Sequence, residues 1–220
     1  DTIIKCSNYL KEKNMSHEII VVDDGSRDET CSVVEDISNQ LPNIILVKLS
    51  QNKGKGGAVQ KGMEAAKGDT RLFMDADGST PIEEIERLLP HLGSYDIIIG
   101  SRALNDSQIG KSQSWYRELL GKFGNLIVRL LFGLHLYDTQ CGFKLFNKRS
   151  AELLFPKLTL KRFGFDIEVL VLGNKYGFKI KEVPIAWEHK EDSKVSSLDY
   201  LDVLISVFKV KFRMLTSKYK

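Results

Sequence analysis

Asp75 and Asp77 stand two apart in the run Thr70-Arg-Leu-Phe-Met-Asp75-Ala76-Asp77-Gly-Ser79-Thr80, where an apolar stretch ends in a polar turn. Two carboxylates at one strand tip repel each other unless a cation lies between them. A hard divalent ion such as Mg²⁺ or Mn²⁺, shared with substrate phosphates, suits that arrangement. The same pair also reads as a polar turn that merely ends a strand, so other residues must decide. Asp23-Asp24-Gly25-Ser26 closes an earlier apolar run, and Ser101-Arg102 closes a later one. Between them, Gln51-Asn52-Lys53-Gly54-Lys55-Gly56-Gly57 leads into a helical pattern. Bare amides at a helix start, flanked by lysines, favour a nearby phosphate. The spacing fits neither the dinucleotide fingerprint, whose third glycine position is Val59 here, nor the Walker pattern. Taken alone, this loop reads equally as a flexible helix entry and as a ligand contact.

These groups need a frame that gathers strand ends. Glu18 to Asp24, Ile44 to Leu49, Thr70 to Asp75 and Tyr95 to Gly100 are short, β-branched-rich apolar runs. Helical segments at about 28–40, 57–67 and 81–92 alternate with them, the last entered by Ser79-Thr80-Pro81 with Glu83 and Glu84 in its first turn. The alternation predicts an α/β fold with a parallel sheet and helices on both faces. In such sheets ligands bind beyond the carboxyl ends of the strands, where all three polar strand ends fall. The chain opens in a helix, Asp1 to about Lys13, with no strand before it. A doubly wound domain normally starts with a strand, so we expect the native protein to extend upstream.

The 220 residues, 42% hydrophobic and 28% charged, suit one globular domain with a sizeable core. Cys6, Cys31 and Cys141 lack zinc-type spacing and point to a reducing compartment without disulfides. No stretch approaches the roughly 18 apolar residues needed to span a bilayer, and no signal peptide is evident. The net charge of +3 conceals a split. Residues 1–101 carry 11 basic and 17 acidic side chains, residues 102–149 carry 8 and 3, and residues 203–220 carry 5 and none. A basic middle and tail imply an anionic partner: phosphate, a membrane surface or nucleic acid. No recognition motif or stacking platform supports nucleic acid.

Residues 115–132 place Trp115, Leu119, Phe123, Leu126, Ile127 and Leu130 on one side of a helix, with Arg117, Lys122 and Arg129 elsewhere. Such a helix lies in a membrane interface or packs on the sheet. Residues 200–220 repeat the pattern and end in basic residues.

Six segments occur in order: Asp23-Asp24-Gly-Ser, Asn52-Lys-Gly-Lys-Gly-Gly-Ala58, Asp75-Ala-Asp77-Gly-Ser-Thr, Gly100-Ser-Arg102, Asp138-Thr-Gln140-Cys-Gly142-Phe-Lys144-Leu-Phe146 and Phe165-Asp166-Ile-Glu168. With them the chain resembles the inverting family 2 glycosyltransferases of the GT-A fold over nearly its whole length. The string from Asp138 to Phe146, with Trp187-Glu188 and Ser193-Lys194-Val195 downstream, is similar to the polyprenyl-phosphate branch, and most of all to dolichyl-phosphate β-glucosyltransferases.

The resemblance implies one GT-A domain: a nucleotide-sugar part (1–101), an acceptor part (102–198) and an amphipathic basic C-terminal helix (199–220). It implies transfer of glucose from UDP-glucose to dolichyl phosphate at a membrane surface, on the cytoplasmic face. Asp23 and Asp24 would contact uracil or ribose, since carboxylates accept from imide N–H and hydroxyl groups. Asp75 and Asp77, with Ala76 between them, would hold Mg²⁺ or Mn²⁺ on the diphosphate, and Lys53 and Lys55 would screen it. Arg102 and Arg117 would grip the acceptor phosphate through their forked guanidinium groups. Gln140 and Lys144 would line the acceptor pocket, although the Gly142-Phe143 pair also reads as a structural turn. Asp166 stands where many relatives place a base. A lipid phosphate needs none, so Asp166 is expected to bind sugar hydroxyls or orient an arginine. Its other reading is a helix N-terminal acid.

Two departures stand out. The family's first strand and the turn after it do not occur in this sequence, and Ser79 occupies the position where mannosyl-phosphate relatives have a metal-contacting Gln. The rivals are a bactoprenyl-phosphate or polysaccharide-forming transferase, which in the second case needs Asp166 as base, and a non-catalytic, membrane-docked nucleotide-sugar-binding module. Oligomeric state is not legible.

Overall fold

The computed structural model describes residues 1–110, 115–188, 197–216 and 218–219, and only the backbone of residues 115–120, 122 and 197–200. Helix α1 (Thr2–Glu12) precedes strand β1 (Ile19–Asp23), helix α2 (Thr30–Gln40), strand β2 (Ile44–Lys48), helix α3 (Lys55–Ala65) and strand β3 (Thr70–Met74). A broken helical stretch around α4 (Ile85–Leu88) leads to β4 (Ile97–Ser101), the short β5 (Gln108–Ile109) and the long α5 (Trp115–Phe132). Then follow β6 (Phe143–Asn147), α6 (Lys148–Leu154), α7 (Phe165–Lys175), β7 (Ile180–Pro184), β8 (Ala186–Trp187) and α8 (Ser197–Leu215).

All four expected strands form within two residues of their sequence bounds, because β-branched runs flanked by turn residues have few alternatives. Three differences have physical causes. The 81–92 segment is one turn of α-helix between two 3-10 turns, Ile82–Glu84 and Leu89–His91, because Pro90 denies the ladder an amide. Helix α3 begins at Lys55, so Lys55, Gly56 and Gly57 form its first turn and are not a separate loop. The sheet is mixed: β6 runs antiparallel to both β3 and β4 and lies between them, in the order β3-β6-β4-β7. Parallel pairs join β4 to β7, β1 to β2 and β5 to β8, and β1-β2 and β5-β8 form small sheets of their own.

The inserted β6 organises the core. Ile97 and Ile99 of β4 enter one apolar cluster with Phe146, Leu154, Leu170 and Leu172, while Ile98 enters another with Phe143, Leu145, Leu88 and Val183. Both faces of β4 are therefore covered, which accounts for its uninterrupted apolar sequence. Each such isoleucine contributes about 1.5–3 kcal/mol on burial. Strand alternation then sends Lys144, between Phe143 and Leu145, to the face of Ile97 and Phe146, where it is fully buried. Register pairs Lys144 with Phe73 of β3, two residues before Asp75.

Helices α5 and α8 pack on one another. Their outer sides leave Phe123, Leu126 and Leu130 of α5 and Leu201, Ile205, Phe208, Phe212 and Leu215 of α8 exposed. Residues three, four and seven apart share a helix face, so each set forms a stripe. The reading that these helices merely pack on the sheet holds for one side of each, with Val128, Val207 and Val210 in the core. Among the described residues, no helix is long and apolar enough to cross a membrane.

Candidate active site

The end of β3 carries Asp75. Its backbone N–H donates to the Gly142 carbonyl (2.9 Å), which brings the 138–142 turn against the strand tip. A Cβ on Gly142 would stand 2.0 Å from Asp75 Oδ2, so only glycine leaves room for this carboxylate. Lys55, from the first turn of α3, reaches Asp75 Oδ1 at 2.8 Å and lies over the rings of Phe73 and Phe163. Burial works against the Lys55 charge, but Asp75, Asp166 and Asp77 outweigh it and hold its pKa above the usual lysine value. Ala76 and Asp77 are exposed beyond the tip. Asp77 accepts the Ser79 amide at 2.9 Å in a short Asx turn, and Ser79 is buried with its carbonyl accepting the Glu188 amide.

Behind this open pair lies a sealed one. Lys144 donates to Asp166 Oδ1 and to the Cys141 carbonyl (2.5 Å). The side chain of Lys144 is 0% exposed and that of Asp166 3%, against 28% and 32% for Lys55 and Asp75. Burial raises the Asp166 carboxyl above its ordinary value, while Lys144 and then Lys55 pull it back. Asp166 sits in the first turn of α7, as the helix-start reading expects, and the cation it holds is a lysine, not an arginine.

Arg102 follows β4. Its Nε and Nη2 donate to the two oxygens of Asp138 (2.7 and 2.8 Å), and its backbone N–H adds a third bond at 3.0 Å. Burial disfavours the Asp138 charge, but Arg102 overcomes it and keeps the carboxyl below its usual range. The fork expected to grip a phosphate is thus largely engaged within the chain; the guanidinium retains its other N–H groups and stacks over Trp187. Glu182 of β7 accepts the amides of Tyr137 (2.9 Å) and Asp138 (2.8 Å), and Asn125 accepts from the Thr139 amide and hydroxyl. Gln140 is half-buried in this turn. The Arg117 side chain and Ser193-Lys194-Val195 lie outside the described residues.

The other acidic pair builds backbone. Asp23 accepts the amides of Gly25 (3.1 Å) and Ser26 (3.2 Å), and the Ser26 hydroxyl holds its pKa below the usual carboxylate range against burial. Asp24 accepts from the amides of Lys53 (2.6 Å) and Gly54 (2.7 Å), one on each oxygen. Gly54, at φ 78°, needs its glycine twice over, because a Cβ would also stand 2.6 Å from the Lys161 carbonyl. Asp24 thereby fixes the turn that presents Lys55.

Lys55, expected beside the diphosphate, lies against Asp75 at the β3 tip, whereas Lys144, expected in the acceptor pocket, is buried against Asp166. The amino-acid sequence assigned no role to Asp138, Glu168 or Glu182, and Asp138 and Glu182 find their partners 36 and 44–45 residues away. The glycine before β6 was the one available signal.

Among the described residues, no three His, Cys, Asp or Glu side chains gather as a metal cage. Asp75 and Asp77 are hard oxygen donors, and an ion bound there would take its remaining ligands from water and substrate.

The Glycosyl transferase family 2 model matches residues 1–155. Dolichyl-phosphate beta-glucosyltransferase of Dictyostelium discoideum is 36% identical over the whole of this chain and 71% of its own length. The protein of that name from Drosophila melanogaster is 33% identical over 98% of this chain and 71% of its own. That of Saccharomyces cerevisiae is 35% identical over 86% of this chain, which spans 62% of it. Among solved structures, glucosyl-3-phosphoglycerate synthase of Mycobacterium tuberculosis in complex with UDP superposes with a TM-score of 0.69 at 18% identity, covering 96% of this chain and 74% of that one. The same enzyme with Mn²⁺, UDP-glucose and phosphoglyceric acid gives 0.69 at 18% identity, again with 96% and 74% coverage. These structures show the same fold. The chain belongs to glycosyl transferase family 2, within the group whose curated members are named dolichyl-phosphate beta-glucosyltransferase.

Proposed function

We propose that this chain transfers glucose from UDP-glucose to dolichyl phosphate with inversion at the anomeric carbon. The observation that carries this reading is the contrast between an open carboxylate at the β3 tip and a sealed one on α7. An acceptor hydroxyl would need a base within reach of its proton. A lipid phosphate, with a second pKa near ~6, has lost its protons at neutral pH and needs none. Asp166, ion-paired and sealed, is suited to holding Lys144 and the 141–144 backbone in place.

In this reading, residues 1–101 bind the donor, 102–198 the acceptor and 199–220 the membrane. Asp23 and Asp24 shape the uridine side through the turns they anchor, and Lys53 and Lys55 face the diphosphate. Mg²⁺ or Mn²⁺, held by Asp75 and Asp77 with Ser79 close by, would offset the charge on the departing UDP. The remaining N–H groups of Arg102, with Arg117, hold the acceptor phosphate near Gln140; Lys144, expected to line the same pocket, is instead sealed against Asp166 and does not reach it. Phosphate oxygen forms the new bond to the anomeric carbon as the bond to UDP breaks, and in-line displacement of an α-linked donor gives a β-linked product.

The exposed stripes of α5 and α8, with Lys209 exposed beside Phe208, seat the enzyme on the cytoplasmic face of the membrane that carries its acceptor, while Lys211 and Arg213 donate to the Leu131 carbonyl and the Thr159 hydroxyl. Phe208→Ser with Phe212→Ser should weaken binding to anionic vesicles, and unchanged binding would remove this surface from the account.

The deciding assay supplies radiolabelled UDP-glucose or GDP-mannose, Mg²⁺ or Mn²⁺ and dolichyl phosphate, and counts label in the organic phase. Label from UDP-glucose that vanishes in Asp77→Asn is expected. Label from GDP-mannose alone would overturn the sugar, and no lipid label from a folded, UDP-binding protein would overturn the acceptor.

A further inference from the structure

Glu168 lies on α7, two residues beyond Asp166, and is fully buried. Four donors converge on it. Oε2 accepts the amides of Thr159 (3.0 Å) and Leu160 (2.8 Å), and Oε1 accepts the hydroxyls of Thr159 (2.5 Å) and Tyr219 (2.6 Å). Arg213 stands 3.9 Å from Oε1 and donates to the Thr159 hydroxyl. A sealed carboxylate with this many partners organises the segments that supply them.

Glu168 joins two segments of the chain, and Arg213 also bridges them directly through the Thr159 hydroxyl. Arg213 belongs to α8, and Tyr219 follows it, buried, with its carbonyl held by Lys175 (2.7 Å) and the Tyr176 hydroxyl (3.1 Å). Helix α8 also presses on the start of α7, where a Cβ on Gly164 would meet Ser206 at 2.4 Å. In the other segment, the chain from Thr159 runs directly over the glycine-rich turn. Gly57 donates to the Lys161 carbonyl at 3.1 Å, and Lys161 donates to Gln60. A Cβ on Gly56 would stand 2.7 Å from Phe165 Cβ and 2.8 Å from the Leu160 carbonyl. The two backbones touch without a side chain between them, so a shift in 159–162 passes straight to Lys55 and its partner Asp75.

We propose that Glu168 is a positioning residue that ties α8 to the glycine-rich turn, so that the seating of the C-terminal helix sets how firmly the donor phosphates are held. This rests on the donor reading of that turn given above. The exposed apolar stripe of α8 lies at the far end of the same tie. Membrane contact that steadies α8 therefore steadies the turn.

The test uses the whole chain with two variants. Tyr219→Phe removes one hydroxyl and keeps the ring; Glu168→Gln keeps the shape and removes the charge. Amide exchange at Gly57 is read beside UDP binding in the presence of Mn²⁺. In Tyr219→Phe, Gly57 should exchange about tenfold faster, while amides of β4 keep their wild-type rates. UDP should bind more weakly, and KM for UDP-glucose should rise with kcat and the acceptor KM unchanged. Glu168→Gln should move the same quantities further. Wild-type exchange at Gly57 in folded Tyr219→Phe would overturn the tie. A wild-type chain that failed to bind UDP would overturn the donor reading, and Gly57 exchange would still decide the tie.

Discussion

Two lysine–carboxylate pairs lie within reach of one strand tip and differ mainly in their access to water. Lys55 and Asp75 are about a third exposed, whereas Lys144 and Asp166 are sealed. An exposed pair is weak, because water competes for both partners, and an arriving phosphate or cation can separate it. A sealed pair cannot part without leaving a charge in an apolar interior, so it serves as scaffold. Of two similar pairings, one is therefore available for chemistry and the other maintains the geometry. Arg102 and Asp138 fall between the two, for the carboxylate is buried and accepts Nε and Nη2 while the arginine side chain is 27% exposed.

The strongest way to break this contrast is Lys144→Met, which leaves Asp166 buried and alone. Loss of about 3–5 kcal/mol in urea unfolding is expected. Gly142→Ala comes next: the added methyl group meets the Asp75 carboxylate, and displacement by about 1 Å should lower transfer about 100-fold while the melting temperature moves little. Asp138→Asn should cost about 1.5–3 kcal/mol at pH 7. Its pH dependence carries a sign. Asp138 titrates lower folded than unfolded, so its contribution is full above the unfolded value near ~3.9 and fades as pH falls through the lower folded value. Wild type should therefore lose stability on acidification more steeply than Asp138→Asn. The smallest stability effect belongs to the open pair: Lys55→Met should change unfolding by less than about 1 kcal/mol. It should nevertheless weaken UDP binding, measured by calorimetry, if Lys55 faces the diphosphate as proposed.

The same contrast explains what the amino-acid sequence revealed. Strands ending at Asp23, Met74 and Ser101 were readable because short apolar runs and turn residues act locally. Asp75 and Asp77 were readable as a candidate site only together with the other polar strand ends, since two acids in a turn also read as a plain strand end. The insertion of β6 between β3 and β4 was not, since nothing in Phe143-Lys144-Leu145-Phe146 states which neighbours it will take. That insertion alone puts Lys144 in the core, and the position of α7 alone gives it Asp166. Asp24 illustrates the same limit: its residue type suggested a ligand contact, yet both of its oxygens hold amides 29 and 30 residues away. Roles that depend on long-range partners become visible only in the folded chain.

The most direct test replaces the sealed pair altogether, with Lys144→Met and Asp166→Leu in one protein, and measures transfer from UDP-glucose to dolichyl phosphate. Exchange of a buried ion pair for apolar side chains of similar volume is commonly neutral or stabilising. If Lys144 and Asp166 are scaffold, the double variant should unfold near the wild-type midpoint and retain transfer. A folded double variant that binds UDP but yields no glucosyl lipid would contradict the account and return Asp166 to the reaction.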